Sequence, residues 1–205
     1  MTKKTVSFLV SGRGSNFTAV MKNINQGIIS AKPGIVISDK PDAGALSIAP
    51  ELGIDSVCIN PENFSGREEH EREVYRVLKK YHTDLVVAAG YMRILTPFLV
   101  RKFRNRIMNI HPALLPSFPG VHAQKKAFDY GVKITGCTVH FIDEGTDTGP
   151  IVMQAAVEIL NQDTPSGLAA KILSEEHRIL PEAVRLFCED RIRIAGRKVI
   201  INQDQ

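Results

Sequence analysis

Asn109 and His111 flank a single residue in Asn109-Ile110-His111-Pro112, at the end of an apolar, strand-like run. Side chains alternate faces along an extended chain, so an amide and an imidazole two residues apart point the same way. Pro112 fixes the backbone angle directly after the histidine. Asp147, in the turn Asp147-Thr148-Gly149-Pro150, is a carboxylate able to reach the imidazole and raise its pKa by charge pairing. A hydrogen-bond donor, an acid and a charged tuner are what transfer of a small acyl group requires. The spacing also allows a satisfied polar pair at a strand end, and aspartates are common in turns for local hydrogen bonding.

Three further segments carry chemistry. Ser11-Gly12-Arg13-Gly14-Ser15-Asn16 lies between a strand-like and a helix-like run. Its glycines expose N–H groups that, with the positive end of a helix, suit phosphate. The Gly-Lys-Ser/Thr of a P-loop is missing, and Phe17 stands where a dinucleotide fingerprint has its third glycine. The same residues would also serve as a plain turn with Asn16 as helix N-cap. Glu176 shares a four-residue stripe with Leu168, Ile172, Leu180 and Phe187. A carboxylate on such a face borders a cleft or finds a partner. Tyr91-Met92-Arg93-Ile94-Leu95 follows an apolar strand, and apolar side chains beside a cation suit a flat, partly charged heterocycle. A loop packed on the core would use them equally well.

The elements that must position these residues alternate. Strands are predicted at Thr5–Val10, Gly34–Ser38, Ile54–Ile59, Leu85–Ala89 and Ile107–Ile110. Between them, helices are predicted at Phe17–Gly27, Ala43–Leu52 and Arg67–Tyr81, and one capped by Thr96 with Pro97 at its first position. Apolar strands alternating with helices predict an α/β fold, a Rossmann-like, mostly parallel sheet with helices on both faces. Ligands in such sheets sit beyond the carboxyl ends of the strands. The second half changes character. His111–His122 is irregular and Pro-rich, with a helix over Lys125–Tyr130 after it. Lys133–Ile142 and Ile151–Glu158 predict antiparallel additions to the sheet, and Thr164-Pro165 opens a long helix reaching about Phe187, kinked at Pro181. Ile192–Ile201 predicts a terminal hairpin. One domain over 1–205 is expected, split at about residue 110 into the parallel half and the irregular half.

Net charge is +4 with a pI near 9, which permits anionic ligands but is too dispersed to argue for nucleic acid. Arg101, Lys102, Arg104 and Arg106 form a basic cluster, read as a solvated helix face. No apolar run approaches a membrane span, and Val6–Val10 is too short for a signal peptide, so a cytoplasmic protein is expected. Cys58, Cys137 and Cys188 are far apart and are expected to be reduced thiols. Neither Cys-x-x-Cys nor His-Glu-x-x-His occurs, so no metal is expected.

Taken together, Ser11–Asn16, Gly90–Leu95, the string Asn109-Ile110-His111-Pro112-Ala113-Leu114-Leu115-Pro116, Asp147–Pro150 and Glu175-Glu176-His177 resemble the phosphoribosylglycinamide formyltransferases of the folate-dependent formyltransferase superfamily. The resemblance runs through nearly the whole chain in order. It implies that Gly14, Ser15 and Asn16 hold the phosphate of the ribonucleotide, and that Leu173, Ser174, Glu175 and Glu176 hold its ribose. It implies a folate pocket lined by Arg67, Met92, Arg93, Ile94, Leu95, Asn109 and Asp143, Glu144, Gly145, Thr146 and Asp147. Asn109, His111 and Asp147 would be catalytic, with 10-formyltetrahydrofolate as formyl donor. Residues 1–110 then become the phosphate-binding half and 111–205 the folate-binding and catalytic half.

The resemblance also implies small-molecule substrates, no nucleic acid, no membrane, and a monomer or homodimer. Arg13 and Thr148 depart from the family pattern, Arg13 as a possible extra phosphate contact. A tRNA formyltransferase would be expected to carry a C-terminal RNA-binding domain, and a formyltetrahydrofolate hydrolase an N-terminal regulatory one; neither is expected here. A sugar-nucleotide formyltransferase is disfavoured by the Ser11–Asn16 loop and Glu176. Asp39 after the second strand fits a ribose in a dinucleotide-binding module, but the Asn109/His111 pair has no use there.

Overall fold

The computed structural model describes residues 2–202. Among these, β1 (Lys4–Val10), β2 (Ala31–Ser38), β3 (Asp55–Cys58), β4 (Leu85–Ala88) and β5 (Ile107–His111) form a parallel set in the order β3-β2-β1-β4-β5. β6 (Ile134–Phe141) and β7 (Ile151–Glu158) extend it antiparallel from β5. The hairpin β8 (Ile192–Ala195) and β9 (Lys198–Ile201) joins the far edge through one parallel pair, Ile151 with Lys198. This is the mixed, mostly parallel α/β sheet that strand–helix alternation predicts.

Alternation within each strand feeds two cores. Phe8 and Val10 of β1 face α1 (Ser15–Asn25) and α6 (Pro165–Cys188), where Phe17, Val20, Met21, Leu168 and Ile172 complete one cluster. Leu9 faces the other way. It joins Val74, Val77 and Leu78 of α3 (Arg67–Lys80) and Leu99 and Val100 of α4 (Pro97–Lys102). Burial on both faces is why β1 ends in three consecutive apolar residues, Phe8, Leu9 and Val10. The remaining helices are short: α2 (Gly44–Ile48), and α5 (Ala123–Tyr130) after the irregular loop.

Several boundaries depart from the sequence reading. α1 starts at Ser15, with Gly14 at the cap in a left-handed conformation (φ 79°). Asn16 therefore lies inside the first turn and is not the N-cap. Only glycine fits at position 14, because a Cβ there would meet the Ala45 Cβ at 2.7 Å. The Ala43–Leu52 helix is two pieces, α2 and a 3-10 turn at Pro50–Leu52. The long helix expected from Thr164-Pro165 is one element, α6, from Pro165 to Cys188 with Pro181 inside it. Losing one ladder bond there is offset by burial of Ile179, Leu180, Ala183 and Val184 around it.

β1 is flanked by β2 on one side and β4 on the other, so the chain reverses its direction of travel across the sheet at β1. The crevice at such a reversal, beyond the strand ends, is where ligands bind in open α/β sheets. Ser11–Gly14, Gly90–Leu95 and the loop after His111 all emerge there. No helix among the described residues is long and apolar enough to cross a membrane.

Candidate active site

Asn109 and His111 sit two apart on β5 and point the same way, as the spacing requires. The antiparallel register sets His140 of β6 directly opposite Asn109. The four polar side chains then form one chain. Asn109 Nδ2 lies 3.2 Å from His140 Nε2. That nitrogen is 3.6 Å from Asp147 Oδ1, and Asp147 Oδ2 is 3.3 Å from His111 Nδ1. His140 Nδ1 faces the Phe141 carbonyl at 3.0 Å, which places a ring proton there, and its Nε2 lies between Asn109 and Asp147. The second amide hydrogen of Asn109 remains for a ligand. His140 is absent from the sequence reading. Its signal was the Val139-His140-Phe141 run in a buried strand, which becomes meaningful once β6 is known to pair with β5.

The loop after β5 folds back over this cluster. His111 Nε2 donates to the Phe118 carbonyl at 2.9 Å, and the Gly120 N–H donates to Asp147 Oδ2 at 2.8 Å. Phe118, His122 and Asp147 all take positive φ (53°, 60° and 54°), a conformation that costs non-glycine residues roughly 1 kcal/mol or more each. Two of these, Phe118 and Asp147, flank His111, which marks a site that the surrounding structure holds in place.

Both ring nitrogens of His111 face oxygen acceptors, which favours the protonated ring. Burial acts against it and outweighs them. The His111 pKa is pushed below its ordinary value by desolvation, with the Phe118 carbonyl and Asp147 pulling upward and His140 and Lys126 pulling down. Asp147 thus contributes with the expected sign, but the expected net rise is overturned, because the ring is 4% exposed. A proton held less firmly is the better acid. Burial pushes the Asp147 carboxyl up as well. There the Gly120 N–H, the His140 contact and the positive charge that either imidazole carries when protonated prevail and hold it at about 2.

The anion-binding side is built from the start of α1. No side chain caps this helix, so its first N–H groups stay open to a ligand. Asn16 Nδ2 donates to Glu176 Oε2 at 2.7 Å, joining α1 to α6. Asn16 Oδ1 is buried with no protein partner, an acceptor waiting for a hydroxyl or amine. Burial raises the pKa of Glu176 and the Asn16 hydrogen bond opposes it. Arg13 is exposed at the rim. Glu175 turns away from Glu176 and pairs with Arg178 at 2.6 Å; Ser174 is exposed and Leu173 half-buried.

Met92–Leu95 has no regular structure and exposes Met92 (68%) and Ile94 (61%) while burying Leu95. Two exposed apolar side chains flanking Arg93 fit a heterocycle of mixed character. The Met92 N–H donates to Ser11 Oγ at 2.9 Å, so this segment is tied to the anion loop. Arg67 donates to the Ile94 carbonyl. Thr96 gives its N–H (2.7 Å) and its hydroxyl to Glu71; although it is the N-cap residue of α4, its side chain caps no helix N–H. Across the crevice, Asp143 accepts from the Gly145 N–H and the Thr148 hydroxyl, which shapes the turn leading to Asp147. Glu144 reaches outward to Arg101 at 2.8 Å.

The profile of the formyl transferase family matches residues 4–184. A phosphoribosylglycinamide formyltransferase of Bacillus subtilis (strain 168) is 36% identical over 182 residues, covering 89% of this chain and 93% of that protein. The trifunctional purine biosynthetic protein adenosine-3 of Drosophila melanogaster is 44% identical over 188 residues, 90% of this chain. The chain spans only 14% of that longer protein. Among solved structures, a glycinamide ribonucleotide transformylase 1 from Symbiobacterium toebii superposes with a TM-score of 0.96 at 44% identity, covering 98% of this chain and 95% of that one.

Proposed function

The chain belongs to the formyl transferase family, and from that premise we propose that it moves the formyl group of 10-formyltetrahydrofolate to the amine of N1-(5-phosphoribosyl)glycinamide, a step of purine synthesis. The observation that carries this reading is the continuous chain Asn109–His140–Asp147–His111 beside an uncapped helix start. The acceptor's phosphate lies on the open N–H groups from Gly14 to Asn16. Its ribose hydroxyls meet Glu176 and the unpartnered Asn16 Oδ1. Met92–Leu95, Arg67 and Asp143–Asp147 flank the folate.

As the amine attacks, a new C–N bond forms and charge moves onto the formyl oxygen. Asn109 and protonated His111 donate to that oxygen, each worth roughly 3 kcal/mol in the transition state. The bond from carbon to the folate nitrogen then breaks. His111 protonates that nitrogen, directly or through a water, and the proton shed by the amine passes through water back to the His111 ring, restoring it. Asp147 holds the ring's Nδ1 side and stabilises its charge, while His140 orients the Asn109 amide. In this reading residues 1–110 bind the phosphate and lend Met92–Leu95 to the folate, and 111–205 carry the catalytic groups. The substrates are small molecules in the cytoplasm, met by a monomer or a homodimer.

One assay tests the reading: purified protein, 10-formyl-dideazafolate and glycinamide ribonucleotide, following the deformylated folate. Release that depends on the ribonucleotide is expected. Release without it identifies a hydrolase, and no release with it refutes the assignment. Glu176→Ala is expected to raise the ribonucleotide KM roughly 10- to 100-fold, the loss of charge-assisted hydrogen bonds, with the donor KM unchanged. Steady-state titration of each substrate checks this.

A further inference from the structure

The segment Met92–Leu95 is held by side chains from outside it. Ser11 takes the Met92 N–H at one end, and Arg67 takes the Ile94 carbonyl. At the other end, Thr96 is fixed through both its N–H and its hydroxyl by the two oxygens of Glu71. Glu71 is 4% exposed, on α3 one turn from Arg67. A carboxylate that deep is costly unless its oxygens are bonded, and here both bonds go to a single residue. Thr96 gives up a capping bond to α4 to supply one of them. A buried charge spent on one point of an irregular loop sets where that loop lies.

We infer that Glu71 is a positioning residue for the formyl donor: it fixes Thr96, and through Thr96 the placement of Met92–Leu95, without touching either substrate. This rests on the reading of Met92–Leu95 as the donor-binding segment. It also separates two roles on one helix. Arg67 and Glu71 both leave α3 toward the loop, one to a carbonyl within the segment and the other to the residue just beyond it. Ser11 secures the opposite end from the anion loop. Releasing Glu71 therefore loosens the donor side while leaving Gly14–Asn16 and the Asn109–His140–Asp147–His111 chain in place.

The test is a KM-against-kcat split. Glu71→Ala is expected to raise the donor KM about tenfold, the loss of charge-assisted hydrogen bonds. The ribonucleotide KM and kcat at saturating donor should stay within about twofold. Thr96→Val, which removes only the hydroxyl, is expected to raise the donor KM several-fold, and Thr96→Ser to restore it. The Kd of 10-formyl-dideazafolate, read by fluorescence, should follow the donor KM. A merely structural carboxylate would lower the folded fraction and hence kcat, leaving the donor KM alone; that result in the Thr96 pair overturns the inference even if Glu71→Ala does not fold. Equal rises in both substrates' KM also overturn it. If the wild-type protein transfers no formyl group, the function has been misread. The analogue's Kd for wild type against Thr96→Val then still decides whether this clasp shapes the folate pocket.

Discussion

His111→Ala is expected to lower kcat roughly 10³-fold, because one side chain supplies both an oxyanion donor and the acid for the leaving nitrogen. The ring is buried between β5 and the 117–122 loop, so some stability is lost with it. His111→Gln keeps most of the volume and a donor to the Phe118 carbonyl, but no titrating group. Both variants should lose turnover, His111→Ala the more, and they should differ in melting temperature. Far-ultraviolet circular dichroism and analogue binding establish that the fold and pocket remain. Turnover within tenfold of wild type in His111→Gln would remove the acid role from this residue. The pH profile gives a second measure. A proton held below the ordinary imidazole range leaves the ring neutral through most of the neutral region. Turnover that needs the ring protonated before attack should thus fall from below pH 6.5 upward, opposing the rise from amine deprotonation.

Asp147→Asn is expected to cost about 100-fold in kcat, since the imidazolium loses the charge beside its Nδ1. The amide keeps an acceptor for the Gly120 N–H, so the loop need not open. This substitution also has a signature in stability. The folded-state pKa of Asp147 is depressed from 3.8 to about 2. The stabilisation is therefore fully present above the unfolded value near 4 and is lost as pH falls toward 2, and the shift corresponds to roughly 2 kcal/mol. Urea melts at pH 7 should separate wild type from Asp147→Asn by about that amount, and melts near pH 2 should not. A constant gap across the range would place the difference in packing instead of charge.

The framework of this site is legible from local pattern because it depends on local rules. Two-residue alternation orients Asn109 and His111 together, and apolar strands alternating with helices place both at a strand's carboxyl end. Glu176 stands out because a carboxylate interrupts an apolar stripe, and Asn16 answers it across the helix pair. What the sequence hides is set by pairing and depth. His140 matters because β6 runs antiparallel to β5 in one register; shifting that register by one residue would turn its side chain to the other face. The direction of the His111 pKa depends on how much protein covers the ring, and no neighbouring residue in the chain encodes that. The Thr96 hydroxyl satisfies the local rule for a helix cap and goes instead to a buried charge 25 positions earlier, a stronger acceptor. Pro181 breaks helices in isolation, and here tertiary packing carries α6 through it. Within the basic cluster at Arg101–Arg106, Arg101 pairs with Glu144, 43 positions on, and Lys102 and Arg106 lie over aromatic rings.

The Phe118 carbonyl has a consequence for the resting protein. A main-chain oxygen already sits on the Nε2 proton of His111, the hydrogen that the proposed mechanism offers to the formyl oxygen. With the Phe118 carbonyl on one nitrogen and Asp147 on the other, the protein itself aims the imidazole. In the proposed transfer the formyl oxygen replaces the Phe118 carbonyl on that hydrogen, and the contest between the two oxygens tilts toward whichever is gaining negative charge.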